Sequence, residues 1–118
     1  MTTSFYSRPA LAQGSVVIIN NDGSITPTTA PISTSDNVTY ALTGNITSSG
    51  YGVVVRRSNI VIEGSGNFVI GNVYSVGVWL DEVSNVTIKG INIMNFQNGI
   101  RLARALIHKT ASEIMPLF

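Results

Sequence analysis

Apolar and polar residues alternate along most of this 118-residue chain, in short runs cut by glycine and asparagine. Val53 and Val55, Ile60 and Ile62, Val78 and Leu80, Val86 and Ile88, Ile91 and Ile93, and Ile100 and Leu102 each skip one position. That period of two belongs to a strand with one buried and one solvated face. β-Branched residues dominate the runs, and Gly44-Asn45, Gly64-Ser65-Gly66-Asn67, Gly71-Asn72 and the stretch from Asn95 to Gly99 separate them as turns. The period changes near the C-terminus. Ala103, Leu106, Ile107, Thr110, Ala111, Ile114, Met115 and Phe118 recur at steps of three and four, with Arg104, His108, Lys109, Ser112 and Glu113 between them. This predicts an amphipathic helix from about Ala103 to Ile114, ended because Pro116 disfavours helical backbone at Met115.

The strand runs fall into copies. Ser58-Asn59-Ile60-Val61-Ile62-Glu63-Gly64 matches Ser84-Asn85-Val86-Thr87-Ile88-Lys89-Gly90 at a spacing of 26, and Asp36-Asn37-Val38-Thr39-Tyr40 precedes them by 22. A second phrase keeps step: Tyr51-Gly52-Val53-Val54-Val55, Val76-Gly77-Val78-Trp79-Leu80 and Asn98-Gly99-Ile100-Arg101-Leu102. Its glycines lie 25 and 22 apart, so a few extra residues belong in the second copy, at Ser65-Gly66-Asn67. Short strands every seven or eight residues inside such a repeat describe a solenoid with about three strands per turn, its coils paired in parallel at roughly 4.8 Å. The expected fold is all-β: a short right-handed parallel β-helix of three coils, near Asp36–Arg57, Ser58–Val83 and Ser84–Ala105. A β cap over residues 10–35 closes the N-terminal end, and the amphipathic helix closes the other. Residues 1–13 read as a flexible N-terminus, 14–105 as the capped β-helix and 106–118 as a helical tail.

Charge narrows the classes of function. Only 11% of residues are Asp, Glu, Lys or Arg, against a usual share of about 25%. The net charge is +1. No cluster of Lys and Arg is present to draw a phosphate backbone or an anionic membrane, so neither nucleic-acid binding nor membrane insertion is expected. There is no Cys, hence no disulfide, no thiolate ligand and no Cys nucleophile. The apolar run Val16-Val17-Ile18-Ile19 is too short for a membrane span or a signal-peptide core.

The phrases Ser-Asn-Val-Thr-Ile-Lys-Gly (84–90), Asn-Gly-Ile-Arg-Leu (98–102) and Asp-Gly-Ser-Ile-Thr-Pro-Thr-Thr-Ala-Pro-Ile (22–32) resemble prokaryotic, especially archaeal, surface proteins of the pectin-lyase-like β-helix type, with repeats often labelled NosD-like. The resemblance covers about Gly14 to Arg104 and implies an extracellular or cell-surface location, although no export signal is readable here. In such proteins the coil phrase continues into further copies. Here Ala105-Leu106-Ile107-His108 replaces the next one, so the chain reads as the N-terminal piece of a longer β-helix protein, truncated or deliberately short.

Three sets of residues are candidates for chemistry. Asn37, Asn59 and Asn85 share one place in the three coils and are expected to form a hydrogen-bonded ladder that satisfies turn carbonyls. Three sequons, at Asn37, Asn45 and Asn85, also read as glycosylation acceptors, Asn45 being the best because a ladder asparagine is poorly accessible. On the outward face, Val54, Trp79 and Arg101 form one column, Arg56, Asp81 and Ala103 the next, and Arg57, Glu82 and Arg104 another. Either these columns are a solvated wall of ion pairs, or Trp79, Arg56, Asp81 and Arg101 make a platform on which a polysaccharide stacks and hydrogen-bonds.

Catalysis is not expected. A lyase or hydrolase of this fold, as the resemblance implies, gathers several carboxylates on one face, whereas Asp22, Asp36, Glu63 and Glu113 are scattered and the adjacent Asp81 and Glu82 face different ways on a strand. No metal or cofactor is expected either. His108 falls on the polar helix face, Met94 and Met115 fall at core positions, and Asp22-Gly23-Ser24 is a single acidic turn. The functional expectation is a non-catalytic structural or surface module, meeting itself through its coil ends, with carbohydrate binding as the alternative.

Overall fold

The computed structural model describes residues 16–103. They form twelve strands: β1 (Val17–Ile19), β2 (Ile25–Thr26), β3 (Ile32–Ser33), β4 (Thr39–Leu42), β5 (Ile46–Thr47), β6 (Val53–Val55), β7 (Ile60–Glu63), β8 (Phe68–Ile70), β9 (Val76–Leu80), β10 (Val86–Lys89), β11 (Asn92–Met94) and β12 (Asn98–Leu102). There is no helix among the described residues. The C-terminal helix expected over residues 103–114 is therefore not among the elements: Ala103 is a bend, and the remainder, like residues 1–13 and the tail 106–118, lies outside the described residues.

Three sheets take up the strands in rotation, in the orders β12-β9-β6-β1-β2, β10-β7-β4-β3 and β11-β8-β5. From β4 onward the chain visits them in the same order three times, and like strands of successive passes pair in parallel. The registers match the repeat phrases. Val86 lies on Ile60 and Ile88 on Ile62. Val53 lies on Val78, which lies on Ile100.

Two details of the repeat differ from the sequence reading. Register offsets between the second and third passes fall from 26 at Ile60↔Val86 to 24 at Phe68↔Asn92 and 22 at Val76↔Asn98. The extra residues are thus split, two in the turn at Ser65 and Gly66 and two in the loop between β8 and β9. That loop carries Val73 and Tyr74, 57% and 85% exposed. Secondly, β1 is no cap but a parallel member of the first sheet, beside β6. The antiparallel strands β2 and β3 end their sheets instead.

The alternation works as the pattern predicts. Ile19, Tyr40, Val53, Val55, Ile62, Val69 and Val78 are all 0% exposed and belong to one core cluster. Each fully buried aliphatic side chain of this size contributes about 1.5–3 kcal/mol. The coils approach closely because a glycine recurs in the second phrase. A Cβ on Gly52 would stand 2.5 Å from the Gly77 carbonyl oxygen, and one on Gly77 2.6 Å from that of Gly99. The Phe96 ring lies across the same glycines and fills the space beside Gly71, where a Cβ would overlap it.

The N-terminal end is pinned to the coils by side chains. The Tyr40 hydroxyl donates to the Gly23 carbonyl at 2.7 Å, and the Arg57 guanidinium donates to the carbonyls of Asn21 at 2.8 Å and Asn37 at 3.1 Å. Burial weakens toward the third pass. Ile93 and Ile100 are half-buried, and Leu102 is 38% exposed. Met94, expected in the core, is 44% exposed, because in β11 the inward position belongs to Ile93.

Candidate functional site

The outward face of the first sheet brings together the four residues singled out for carbohydrate binding. Parallel register sets Val54 beside Trp79 and Trp79 beside Arg101. The indole touches two neighbours. The Tyr51 ring stacks on it at 5.3 Å between centroids and 14° between planes, and the Arg101 guanidinium carbon sits 5.4 Å from the ring centroid. Aromatic stacking and a cation over an indole each contribute about 0.5–1.5 kcal/mol. Tyr51 was not among the candidates, though it opens the same phrase that supplies Trp79. Its place three residues before Val54, on the neighbouring coil, was the available signal.

Charge on this face is also engaged. The Arg56 Nε donates to Asp81 Oδ2 at 3.2 Å, the ion pair of the described residues. It is partly exposed and is worth well under 1 kcal/mol. The column of Arg57, Glu82 and Arg104 does not form as expected: Arg57 is spent on the two backbone carbonyls, and Arg104 lies outside the described residues. Asp81 and Glu82 follow β9 rather than lying on it, and Glu82 adopts φ 59, a left-handed conformation unusual for its type. Val54, outward by register, is nevertheless 6% exposed, wedged between larger neighbours on β1 and β9.

The asparagine column is real in position, and the expected ladder forms at one rung. Asn37, Asn59 and Asn85 all take left-handed backbone, φ 60, 63 and 57, and all are exposed. Their shared requirement is a residue that tolerates this conformation at the corner entering β4, β7 and β10. One side-chain rung joins them, from Asn85 Nδ2 to Asn59 Oδ1 at 2.9 Å. Asn37 stands out of the ladder and packs against Gly23. Beside that rung the Ser84 amide donates to Ser58 Oγ at 3.0 Å.

Asparagines at the next corner cross-link the coils instead. Asn45 Oδ1 accepts from the Phe68 amide at 2.9 Å, Asn67 Nδ2 donates to the Leu42 carbonyl at 3.2 Å, and Asn92 Nδ2 donates to the Gly66 carbonyl at 3.1 Å. The sequence held no repeat to mark them, since the turns at this corner differ in length. Asn45, the preferred sugar acceptor, is exposed but is itself part of this bracket.

Carboxylates do not converge. Asp22 is held below the usual carboxylate range first by the Ser24 hydroxyl and then by the Ser24 amide, and Asp36 by the amides of Thr39 and Val38. Both serve turns. Among the described residues no three of His, Asp and Glu form a group able to hold a metal ion. No family model, curated protein or solved structure matches the chain.

Proposed function

We propose that this chain is a non-catalytic structural module, a short right-handed parallel β-helix of the kind carried by the pectin-lyase-like and NosD-like surface proteins it resembles. The cyclic order of the three sheets supports the coil, and the near-universal right-handedness of parallel crossovers supports its hand. The observation that carries the functional reading is the engagement of Trp79 by its neighbours. A sugar ring needs a bare aromatic face, and here the Tyr51 ring stacks on the indole and the Arg101 guanidinium stands 5.4 Å from its centroid. Arg56 and Asp81, the remaining polar members of the candidate platform, hold each other. The outward face thus stabilises the stack of coils rather than presenting a binding surface, and the location that goes with this reading is the cell surface.

Isothermal titration with neutral and uronate oligosaccharides tests it. The expected result is no heat with either class, for wild type and for Trp79→Ala alike. Saturable heat that disappears in Trp79→Ala would establish the carbohydrate-binding alternative, and release of reducing ends from a polysaccharide would establish catalysis.

A further inference from the structure

The loop between β8 and β9 carries more chain than its corner needs. From the first pass to the second the register offset rises from 23 at Ile46↔Val69 to 25 at Val53↔Val78. From the second pass to the third it falls again, from 24 at Phe68↔Asn92 to 22 at Val76↔Asn98. The passes on either side thus turn the same corner with two residues fewer. The added length presents Val73 and Tyr74, at 57% and 85% the most exposed large apolar side chains among the described residues. The loop is held in shape: the Ser75 amide donates to the Asn72 carbonyl at 3.1 Å and the Tyr74 amide to Asn72 Oδ1 at 2.8 Å.

That loop leaves the outward face of the third sheet, β11-β8-β5. In β8 the alternation turns Val69 inward and Phe68 and Ile70 outward. Register then sets Thr47, Ile70 and Met94 in one row, with Phe68 beside Asn92. Phe68 is 38% and Met94 44% exposed. Charge avoids this side of the stack. Residues 42–55, 64–80 and 90–100 run each time from the end of the second sheet through the third into the first, and they hold no Asp, Glu, Lys, Arg or His. The charged side chains among the described residues fall instead at the corners between the first and second sheets, at the ends of β7 and β10, in the N-terminal turns and at Arg101.

We propose that two copies of this chain pair side by side through this face, about a two-fold axis parallel to the stack of coils. Such an axis reverses the strand direction, so the corner after β8 in one copy meets the start of β8 in the other, and Tyr74 of each lies over Phe68 of its partner. The proposal deepens the structural reading above and rests on it. Charge and size point to a second copy as the occupant. A two-fold contact sets a surface against itself, so a charged surface meets its own sign; this one has no charge to repel. An aromatic side chain offers about 200 Å², and on that scale the exposed parts of Tyr74, Val73, Phe68 and Met94 present roughly 400 Å² of apolar surface. Interfaces are about 57% apolar, so this share corresponds to roughly 700 Å² per partner, near the 800 Å² or so that a stable complex buries. The contact is closed and ends at the dimer.

Sedimentation velocity over a concentration series of the full chain tests this. Wild type should show a monomer–dimer equilibrium that raising salt from about 0.1 M to about 1 M does not weaken, because no charges face each other across the contact. Tyr74→Ser should raise the dimer dissociation constant about tenfold or more, since each dimer loses two covered aromatic rings, whereas Lys89→Gln, on the second sheet, should leave it unchanged. Thr47, exposed on β5, gives an independent readout, because on this axis β5 faces β5. Thr47→Lys and Thr47→Glu should each be monomeric, and an equal mixture should recover a dimer of one of each. A wild type that is monomeric at every concentration, a dimer that survives Tyr74→Ser, or a Thr47 mixture that stays monomeric would each overturn the proposal. Both positions are exposed, and unchanged urea midpoints verify that the variants fold. Oligosaccharide titration of the same wild-type sample separates the two readings: a monomer that gives no heat overturns the dimer alone, and saturable heat overturns the non-binding reading beneath it.

Discussion

Replacing Gly77 by alanine adds a single methyl group where two coils come close together. Its Cβ would stand 2.6 Å from the Gly99 carbonyl oxygen, 2.6 Å from Ile93 Cγ2 and 3.1 Å from Phe96 Cδ2. The first of these is backbone, in a strand hydrogen-bonded to β9 itself, so relief means moving β12 away from β9 and stretching the ladder between them. Overpacking of this kind costs about 1–3 kcal/mol, and the smaller entropy of an unfolded alanine returns only about 0.4–1 kcal/mol. A net loss of about 1–2 kcal/mol is a large part of the stability of a domain this size and should lower Tm by roughly 5–15 °C. Gly50→Ala is the control. A Cβ there meets nothing within 4 Å, and its φ lies outside the left-handed region, so the same entropy term acts alone and the variant should gain about 0.4–1 kcal/mol. Urea unfolding followed by the fluorescence of Trp79, the single tryptophan, and by far-ultraviolet circular dichroism measures both. If Gly77→Ala is as stable as Gly50→Ala, the recurring glycine is not what permits the close approach of the coils.

Three further outcomes follow from particular contacts. Tyr40→Phe leaves the buried Gly23 carbonyl without its donor and should cost about 1–3 kcal/mol at neutral pH. Burial raises the Tyr40 pKa, so the stability it contributes is intact below the unfolded value of about 10 and is lost as pH rises through the higher folded value; alkaline titration of the urea midpoint should show a fall in wild type that is smaller in Tyr40→Phe. Asn59→Ala should lose about 2 kcal/mol, from left-handed strain at φ 63 and from the missing rung to Asn85, whereas Asn59→Gly, free of the strain, should lose clearly less; equal losses would mean that the hydrogen bond alone matters. Asp22 and Asp36 have lowered pKa values, so their stabilisation is present above about pH 4 and is lost as pH falls through the folded values; the acid limb of a urea-midpoint profile should flatten when both are changed to Asn.

Alternation and repetition were enough to place the strands, because each coil buries the same side of the same phrase. Val53, Val78 and Ile100 could be stacked on paper, and they stack in the structure. The recurrence of Asn37, Asn59 and Asn85 could likewise be read as a repeated corner. Its cause could not: a column of asparagines fits a hydrogen-bonded ladder and a left-handed turn equally well, and only backbone dihedrals distinguish them. The same limit applied to the turns. Spacing counted the extra residues of the second pass but assigned them all to one place, since a one-dimensional alignment is blind to where the pairing shifts.

The periodic part of this protein is legible in its sequence: the inward faces, the parallel register of the repeats and the shortage of charge. These follow from local rules repeated every 22 to 26 residues. How neighbours on different coils use their side chains is set by the fold. Tyr51 lies 28 positions from Trp79, and Arg56 25 from Asp81, yet one pair stacks and the other forms an ion pair. Distance along the chain separates the two. Contacts between coils depend on the rotamers and reach of side chains brought together by stacking, which no periodicity encodes.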